Sequence, residues 1–270
     1  NALHGMARGS ESAGSTMLLR LPNRYRGLAR IGTGGMSQIF SAWDDQTAHR
    51  VALKLLHPEL ADDPAIVKRF LNEAYALHGL RHPGIVSIFD WGLIDGNTAY
   101  LSMELLDESL RDLLLRRSGR LSESEAVSTI AQVADALTYV HEAGLVHRDL
   151  KPGNVMFKLS HGFRQTKLLD FGLAKIPEDQ QGPETPVNTH DSLMPGTPEY
   201  MAPEQWQCAA TVNGQADVYS LGIMLYELLA GLPPFIADDP VDLMGLHLYE
   251  TPLPIGRLVN VAAPLQDLLQ

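Results

Sequence analysis

The run Val146-His147-Arg148-Asp149-Leu150-Lys151-Pro152-Gly153-Asn154 sets a carboxylate, an ammonium and an amide within a few residues of one another. Proline and glycine inside it demand a loop. Leu145-Val146 and Val155-Met156-Phe157 bracket that loop with strand-like apolar residues, so the polar cluster is held in place rather than scattered over a surface. Asp149 can orient a substrate hydroxyl and accept its proton. Lys151 can stabilise charge on a phosphoryl group in transfer, and Asn154 can offer its amide oxygen to a metal ion. Further on, Leu168-Leu169-Asp170-Phe171-Gly172 delivers a second carboxylate from the end of an apolar strand. A Mg²⁺ bridging phosphates needs a hard oxygen ligand of that kind.

Two earlier features fit the same chemistry. Ile31-Gly32-Thr33-Gly34-Gly35-Met36-Ser37-Gln38-Ile39 is a glycine-rich turn whose backbone can approach phosphates closely. Alone, such a turn equally makes an ordinary hairpin, and Ser37 stands where a third glycine would complete G-x-G-x-x-G. Val51-Ala52-Leu53-Lys54 ends an apolar strand on a lysine that can neutralise phosphate oxygens, and Glu73 in the helix that follows can hold its ammonium.

The elements that must position these groups are legible from pattern. Residues 38–43 and 50–55 alternate as paired strands do, and residues 85–91 and 98–103 supply two more around Asp95-Gly96-Asn97. Asp63-Pro64 opens a helix with Ile66, Phe70, Ala74 and Leu77 on one face. After Leu106 the character turns helical: Ser122 and Glu125 form a capping box, and Gly144 closes the helix. Residues 217–229 form a second, largely apolar helix. The expected architecture is α+β: a small β-rich lobe with one helix over residues 21–106, a larger mainly helical lobe over 107–270, and a polar tail at 1–20.

Composition narrows the classes. A net charge of −11 argues against nucleic acid as a partner, which would require a basic face. The lone Cys208 excludes an internal disulfide framework and a multi-cysteine zinc site, and suits a reducing compartment. No apolar run is long enough to span a bilayer, so no membrane contact is expected from this segment. Residues 1–16 lack the apolar core of a signal peptide.

Taken in order, the glycine loop, VALK, the helix glutamate, HRDLKPGN, DFG and Gly196-Thr197-Pro198-Glu199-Tyr200-Met201-Ala202-Pro203-Glu204 resemble the signature set of protein kinases. The resemblance covers about residues 25–234, and six motifs in order leave chance negligible. It implies the two-lobed kinase fold and a serine/threonine protein kinase using ATP with Mg²⁺, or alternatively Mn²⁺. By similarity, Gly32 and Gly34 lie over the phosphates, and Lys54 contacts them while paired with Glu73. Asp149 is the catalytic base, Lys151 assists, and Asn154 and Asp170 hold the metal. Ile31, Ile39, Ala52 and Met156 would enclose the adenine, Met103 would guard the back of its pocket, and backbone groups of Glu104 and Leu106 would bond its edge. Leu77, Ile88, His147 and Phe171 match the stack joining the lobes, with Asp217 at its base.

The resemblance carries further expectations. Lys151 and Thr197 point to serine/threonine specificity. Arg148 beside Asp149 marks control by phosphorylation within residues 178–194, with Thr189 the first choice, then Ser192 and Thr185. Gly34-Gly35-Met36 and Pro203-Glu204-Gln205 resemble bacterial members. Partners are expected to be protein substrates, with a homodimer by analogy, in the cytoplasm or as the cytoplasmic part of a longer membrane-anchored protein. No arginine after Arg257 matches the usual partner of Glu204, so the sequence is expected either to be a fragment or to lack the last helices of the large lobe. A pseudokinase scaffold is the alternative reading, disfavoured because Lys54, Asp149 and Asp170 are all present. A small-molecule phosphotransferase is disfavoured by the segment from Gly196 to Glu204.

Overall fold

Alternating apolar residues after Tyr25 form an antiparallel sheet in the computed structural model, which describes residues 21–160, 162–171, 197–207 and 212–269. Its strands are β1 (Tyr25–Thr33), β2 (Ser37–Asp44), β3 (His49–Leu56), β4 (Ile88–Ile94) and β5 (Thr98–Glu104), in the order β1-β2-β3-β5-β4. Asp95 and Gly96 both take positive φ, 49° and 89°, between β4 and β5. That pair of left-handed residues makes the tight hairpin whose twist suits the flanking strands.

Helix α1 (Pro64–His78) crosses this sheet. Asp63 caps it by accepting from the N–H groups of Ala65 and Ile66, and proline occupies the first turn, where no donor is needed. Its inward face carries Phe70, Ala74 and Leu77, and among them the buried carboxylate of Glu73.

Beyond Glu104 lie β6 (Glu108–Ser109), α2 (Leu110–Arg116) and α3 (Glu123–Glu142), then β7 (Val155–Ser160) and β8 (Phe163–Leu168). Strands β6, β7 and β8 make a small antiparallel sheet at the mouth of the larger lobe. The capping box at α3 is present in both halves: Ser122 accepts from the Glu125 N–H, and the Glu125 side chain accepts from the Ser122 N–H. Helices α4 (Pro203–Gln207), α5 (Gly214–Ala230), α6 (Pro240–Tyr249) and α7 (Ala263–Leu268) complete the described chain. Helix α5 starts at Gly214, three residues before its expected start, because Asn213 supplies the cap.

The strand expected at 85–91 is displaced. Pairing with β5 begins only at Ile88 and runs to Ile94. Residues 84–86 instead join the other lobe: Leu168 N–H donates to the Gly84 carbonyl at 2.8 Å and Val86 N–H to the Leu168 carbonyl at 3.0 Å. Local alternation carries no sign of this long-range pairing. One apolar cluster runs from Ala52, Leu77 and Met103 through Leu150, Val155 and Phe171 to Met224 and Leu228, so both lobes share a core beneath the cleft.

Candidate active site

Strand β3 points Lys54 inward toward α1 and the residues after β8. Its Nζ lies 2.7 Å from Asp170 Oδ1 and 3.8 Å from Glu73 Oε1. Burial alone would lower the lysine pKa, but the carboxylates of Asp170 and then Glu73 outweigh it and raise the value above its usual range. Lys54 is therefore a fixed cation at neutral pH. Asp170 takes a left-handed φ of 49°, which aspartate tolerates better than most residues and which turns its carboxylate out of β8 toward the lysine.

The second group of site residues sits on the loop between α3 and β7. Lys151 Nζ stands 3.1 Å from Asp149 Oδ2 and donates to the Thr197 hydroxyl at 2.6 Å. Asn154 Nδ2 donates to both the Asp149 carbonyl, at 2.8 Å, and its Oδ2, at 3.0 Å. With the amide nitrogen so engaged, the amide oxygen of Asn154 is the atom left to meet a cation. Leu169 N–H donates to the Asn154 carbonyl at 3.0 Å, which ties this loop to the residue preceding Asp170. Among the described residues no three acidic, histidine or cysteine side chains cluster as a metal cage. Two protein oxygens, one from Asn154 and one from Asp170, are of the hard type that a divalent cation sharing its ligands with phosphates and water takes.

The loop is suspended from α5. Asp217, wholly buried, accepts from His147 N–H and Arg148 N–H, each at 2.8 Å. Arg148 sits at φ 65°, an uncommon conformation for a non-glycine residue, and this grip supports it. His147 is also fully buried; its Nε2–H donates to the Leu169 carbonyl at 2.9 Å and its Nδ1 accepts from Asp149 N–H at 3.3 Å. Burial pushes its pKa down against the pull of Asp217 and Asp149, so the ring is neutral, as that bonding pattern requires. Its ring lies 4.6 Å from that of Phe171, and Leu77, Ile88 and Phe171 are all buried in the shared core.

On the other wall, Ala52 and Met103 are cross-strand partners and both buried. Ile39 and Met156 pack against the shared core from opposite lobes, Glu104 ends β5, and Leu106 is buried just beyond it. Ile31 stands apart, 53% exposed. Gly34 N–H donates to the Ser37 carbonyl at 2.7 Å, closing the glycine turn. Neither Gly32 nor Gly34 has a positive φ, and a Cβ added at either would meet nothing nearer than 3.7 Å. The protein's own packing does not require glycine at these two positions. Their bareness leaves the backbone open to an incoming group.

Two participants carry no local sequence signal. His141, on α3, places Nε2 at 2.7 Å from Asp217 Oδ2, and Gln205, on α4, donates to the Arg148 carbonyl at 3.0 Å. The partners of each lie more than fifty residues away, beyond the reach of motif spacing. Arg148 donates through Nη2 to the Val212 carbonyl at 3.3 Å, while its buried Nε and Nη1 meet no partner among the described residues. Thr185, Thr189, Ser192, Gly172 and Gly196 lie outside the described residues. Among those residues no helix is long and apolar enough to cross a membrane.

The family model described as protein kinase domain matches residues 25–257. The chain is 40% identical over 239 residues to serine/threonine-protein kinase PknA of Mycobacterium tuberculosis, covering 87% of this chain and 53% of that protein. To serine/threonine-protein kinase PknB of Mycolicibacterium smegmatis it is 37% identical over 241 residues, covering 88% of this chain and 37% of that protein. The chain thus spans about half or less of the length of these relatives.

Proposed function

Because this chain belongs to the protein kinase family and is related to bacterial serine/threonine members, we propose that it transfers the γ-phosphate of ATP to serine and threonine hydroxyls of proteins. Lys151 carries the reading: its ammonium joins the Asp149 carboxylate to the Thr197 hydroxyl at 3.1 and 2.6 Å. An ammonium held there can meet charge on the phosphoryl group while Asp149 takes the proton of the acceptor hydroxyl.

Roles for the other residues follow from their surroundings. Lys54, kept cationic by Asp170 and Glu73, neutralises phosphate oxygens near β3. Asp170 and the amide oxygen of Asn154 would hold a Mg²⁺, which would supply charge neutralisation to the phosphates. Gly32 and Gly34 offer bare backbone to the phosphates, and Ile31, Ile39, Ala52, Met103 and Met156 supply an apolar slot for the adenine. Glu104 and Leu106 offer backbone groups at its edge. The lobes divide at residues 106 and 107, which puts the slot between them. ATP as donor locates this segment in the cytoplasm.

Arg148 supports a regulatory reading. A guanidinium whose buried Nε and Nη1 meet no partner among the described residues suits a phosphate added nearby. Thr189, then Ser192 and Thr185, are the hydroxyls proposed to carry it. The scaffold alternative is weakened by the engagement of Lys54, Asp149 and Asp170 in one site.

The test is incubation with labelled ATP and Mg²⁺ beside Asp149→Asn, with the labelled residues mapped by mass spectrometry. Label on Thr189 or its neighbours, absent in the variant, is the expected result. ATP binding without label in either chain would overturn the kinase reading in favour of a scaffold.

A further inference from the structure

His57 follows β3 directly, three residues beyond Lys54, and holds the glycine turn at two points. Its N–H donates to the Met36 carbonyl at 2.9 Å, which extends the pairing of β2 with β3 by one residue. Its ring Nε2 lies 2.9 Å from the Gly34 carbonyl, on the β1 limb of the turn. A carbonyl only accepts, so the imidazole carries its proton on Nε2 and donates. A two-residue hairpin would spend the Gly34 carbonyl on the Ser37 N–H. That bond is not formed here; Gly34 N–H donates to the Ser37 carbonyl at 2.7 Å, and the Gly34 carbonyl goes to the imidazole.

The peptide that carries this carbonyl joins Gly34 to Gly35, so no side chain on either flank restricts its rotation. Both residues are exposed, and a Cβ built on Gly35 would meet nothing within 4 Å. A single orientation of this peptide has to be selected by a bond from outside it. Because the peptide is planar and trans, a carbonyl drawn toward His57 turns the next N–H, that of Gly35, to the opposite side. The Met36 carbonyl, drawn to the His57 N–H, likewise turns the Ser37 N–H away. One residue thus sets the facing of two donors in the turn proposed to cover the phosphates.

We propose that His57 is a positioning residue for the nucleotide: its imidazole fixes the Gly34–Gly35 peptide so that the Gly35 N–H is presented to the phosphates of ATP. The inference rests on the kinase reading above. A loop contact of purely structural kind would lower melting and weaken all adenine ligands alike, or weaken none. A positioning role separates ligands by their phosphates. Adenosine meets the apolar slot and the backbone of Glu104 and Leu106, but it offers nothing to the Gly35 N–H.

The experiment is steady-state phosphorylation of dephosphorylated casein by the full chain, compared with His57→Leu, His57→Gln and His57→Asn. It measures KM for ATP and the inhibition constants of ADP and of adenosine, and thermal melting is recorded for each variant. His57→Leu is expected to raise KM for ATP and the ADP constant about three- to tenfold, the worth of one hydrogen bond, with the adenosine constant within about twofold. His57→Gln, whose amide nitrogen can stand where Nε2 does, should recover most of the loss. His57→Asn is one methylene shorter and should not. Parallel rises for ADP and adenosine, equal effects of Gln and Asn, or lower melting with unchanged KM would each overturn the inference. If His57→Leu does not fold, the comparison of Gln with Asn decides. Absence of transfer by the unsubstituted chain would overturn the kinase reading and this inference together. Transfer by that chain with an unchanged KM for ATP in His57→Leu would overturn the inference alone.

Discussion

The loop carrying Asp149 and the turn carrying Gly32 and Gly34 face the same proposed ligand, yet the first is held far more heavily than the second. The loop is tied by distant elements: α5 through Asp217, α4 through Gln205, and the residue after β8 through His147 and Asn154. The turn is held by fewer bonds, Gly34 N–H to the Ser37 carbonyl within it and, from His57 just after β3, the N–H to the Met36 carbonyl and ring Nε2 at 2.9 Å from the Gly34 carbonyl, and Gly34 and Gly35 are exposed. Groups that must meet developing charge gain from being fixed beforehand, since reorganising them during the reaction would add to the barrier. A turn that covers a ligand must open to admit and release it, and sparse bonding leaves it able to do so.

Breaking the chemistry at the fixed loop should give the largest effect. Asp149→Asn keeps the shape and removes the base, and kcat should fall by about 10²- to 10⁴-fold. KM for ATP should change little, because Lys54 and the glycine turn are untouched. Phosphate transfer under saturating ATP measures the first, and its ATP dependence the second. A comparable rise in KM would place Asp149 in nucleotide binding.

Next in size is the loss of the loop's suspension. Asp217→Ala strands the buried N–H groups of His147 and Arg148 and releases the left-handed Arg148. The expected cost is about 3 kcal/mol of stability, from unsatisfied buried donors. Denaturant unfolding should show it as a lower midpoint, with turnover lost even where the protein remains folded. Retention of full turnover by the folded variant would mean that the loop stands without its anchor.

What the sequence made legible divides along the same line. Helix α1 was announced by Asp63-Pro64, α3 by Ser122 and Glu125, and the charged groups of the site by short motifs whose members are neighbours in the chain. The suspension was only partly visible. Asp217 was expected at the base of the stack by resemblance, but His141 and Gln205 were not, since each acts across a separation that no periodicity records. The docking of residues 84–86 on Leu168 was hidden for the same reason: an apolar run reads as strand whichever neighbour it pairs with.

A smaller effect should appear with acid. His147 has its pKa lowered by burial, so at pH values below about 6.5 the unfolded chain binds a proton that the folded chain resists. The stability contributed by the neutral ring is complete above that value and is lost as pH falls toward the folded pKa. A proton on Nδ1 would also face the Asp149 N–H that now donates to it. The slope of unfolding free energy between about pH 7 and 5 should therefore be flatter in His147→Tyr, whose ring does not titrate there. An unchanged slope would assign the acid sensitivity to other groups.

The smallest expected change in stability is the sharpest test of the comparison. Gly34→Ala adds a Cβ that meets only the Ser37 carbonyl at 3.7 Å and the Ser37 hydroxyl at 3.9 Å, both ordinary contacts. The backbone there has no positive φ, so alanine restricts the unfolded chain without straining the folded one. The variant should be unchanged in stability or more stable by about 0.5 kcal/mol. Its KM for ATP should nonetheless rise severalfold, because the methyl group occupies space that the turn leaves open toward the phosphates. Opposite signs for stability and nucleotide affinity would assign this glycine to the ligand. If melting temperature and KM both stayed level, the turn would be an ordinary hairpin, and phosphate recognition would rest on Lys54 and the residues around Asp170.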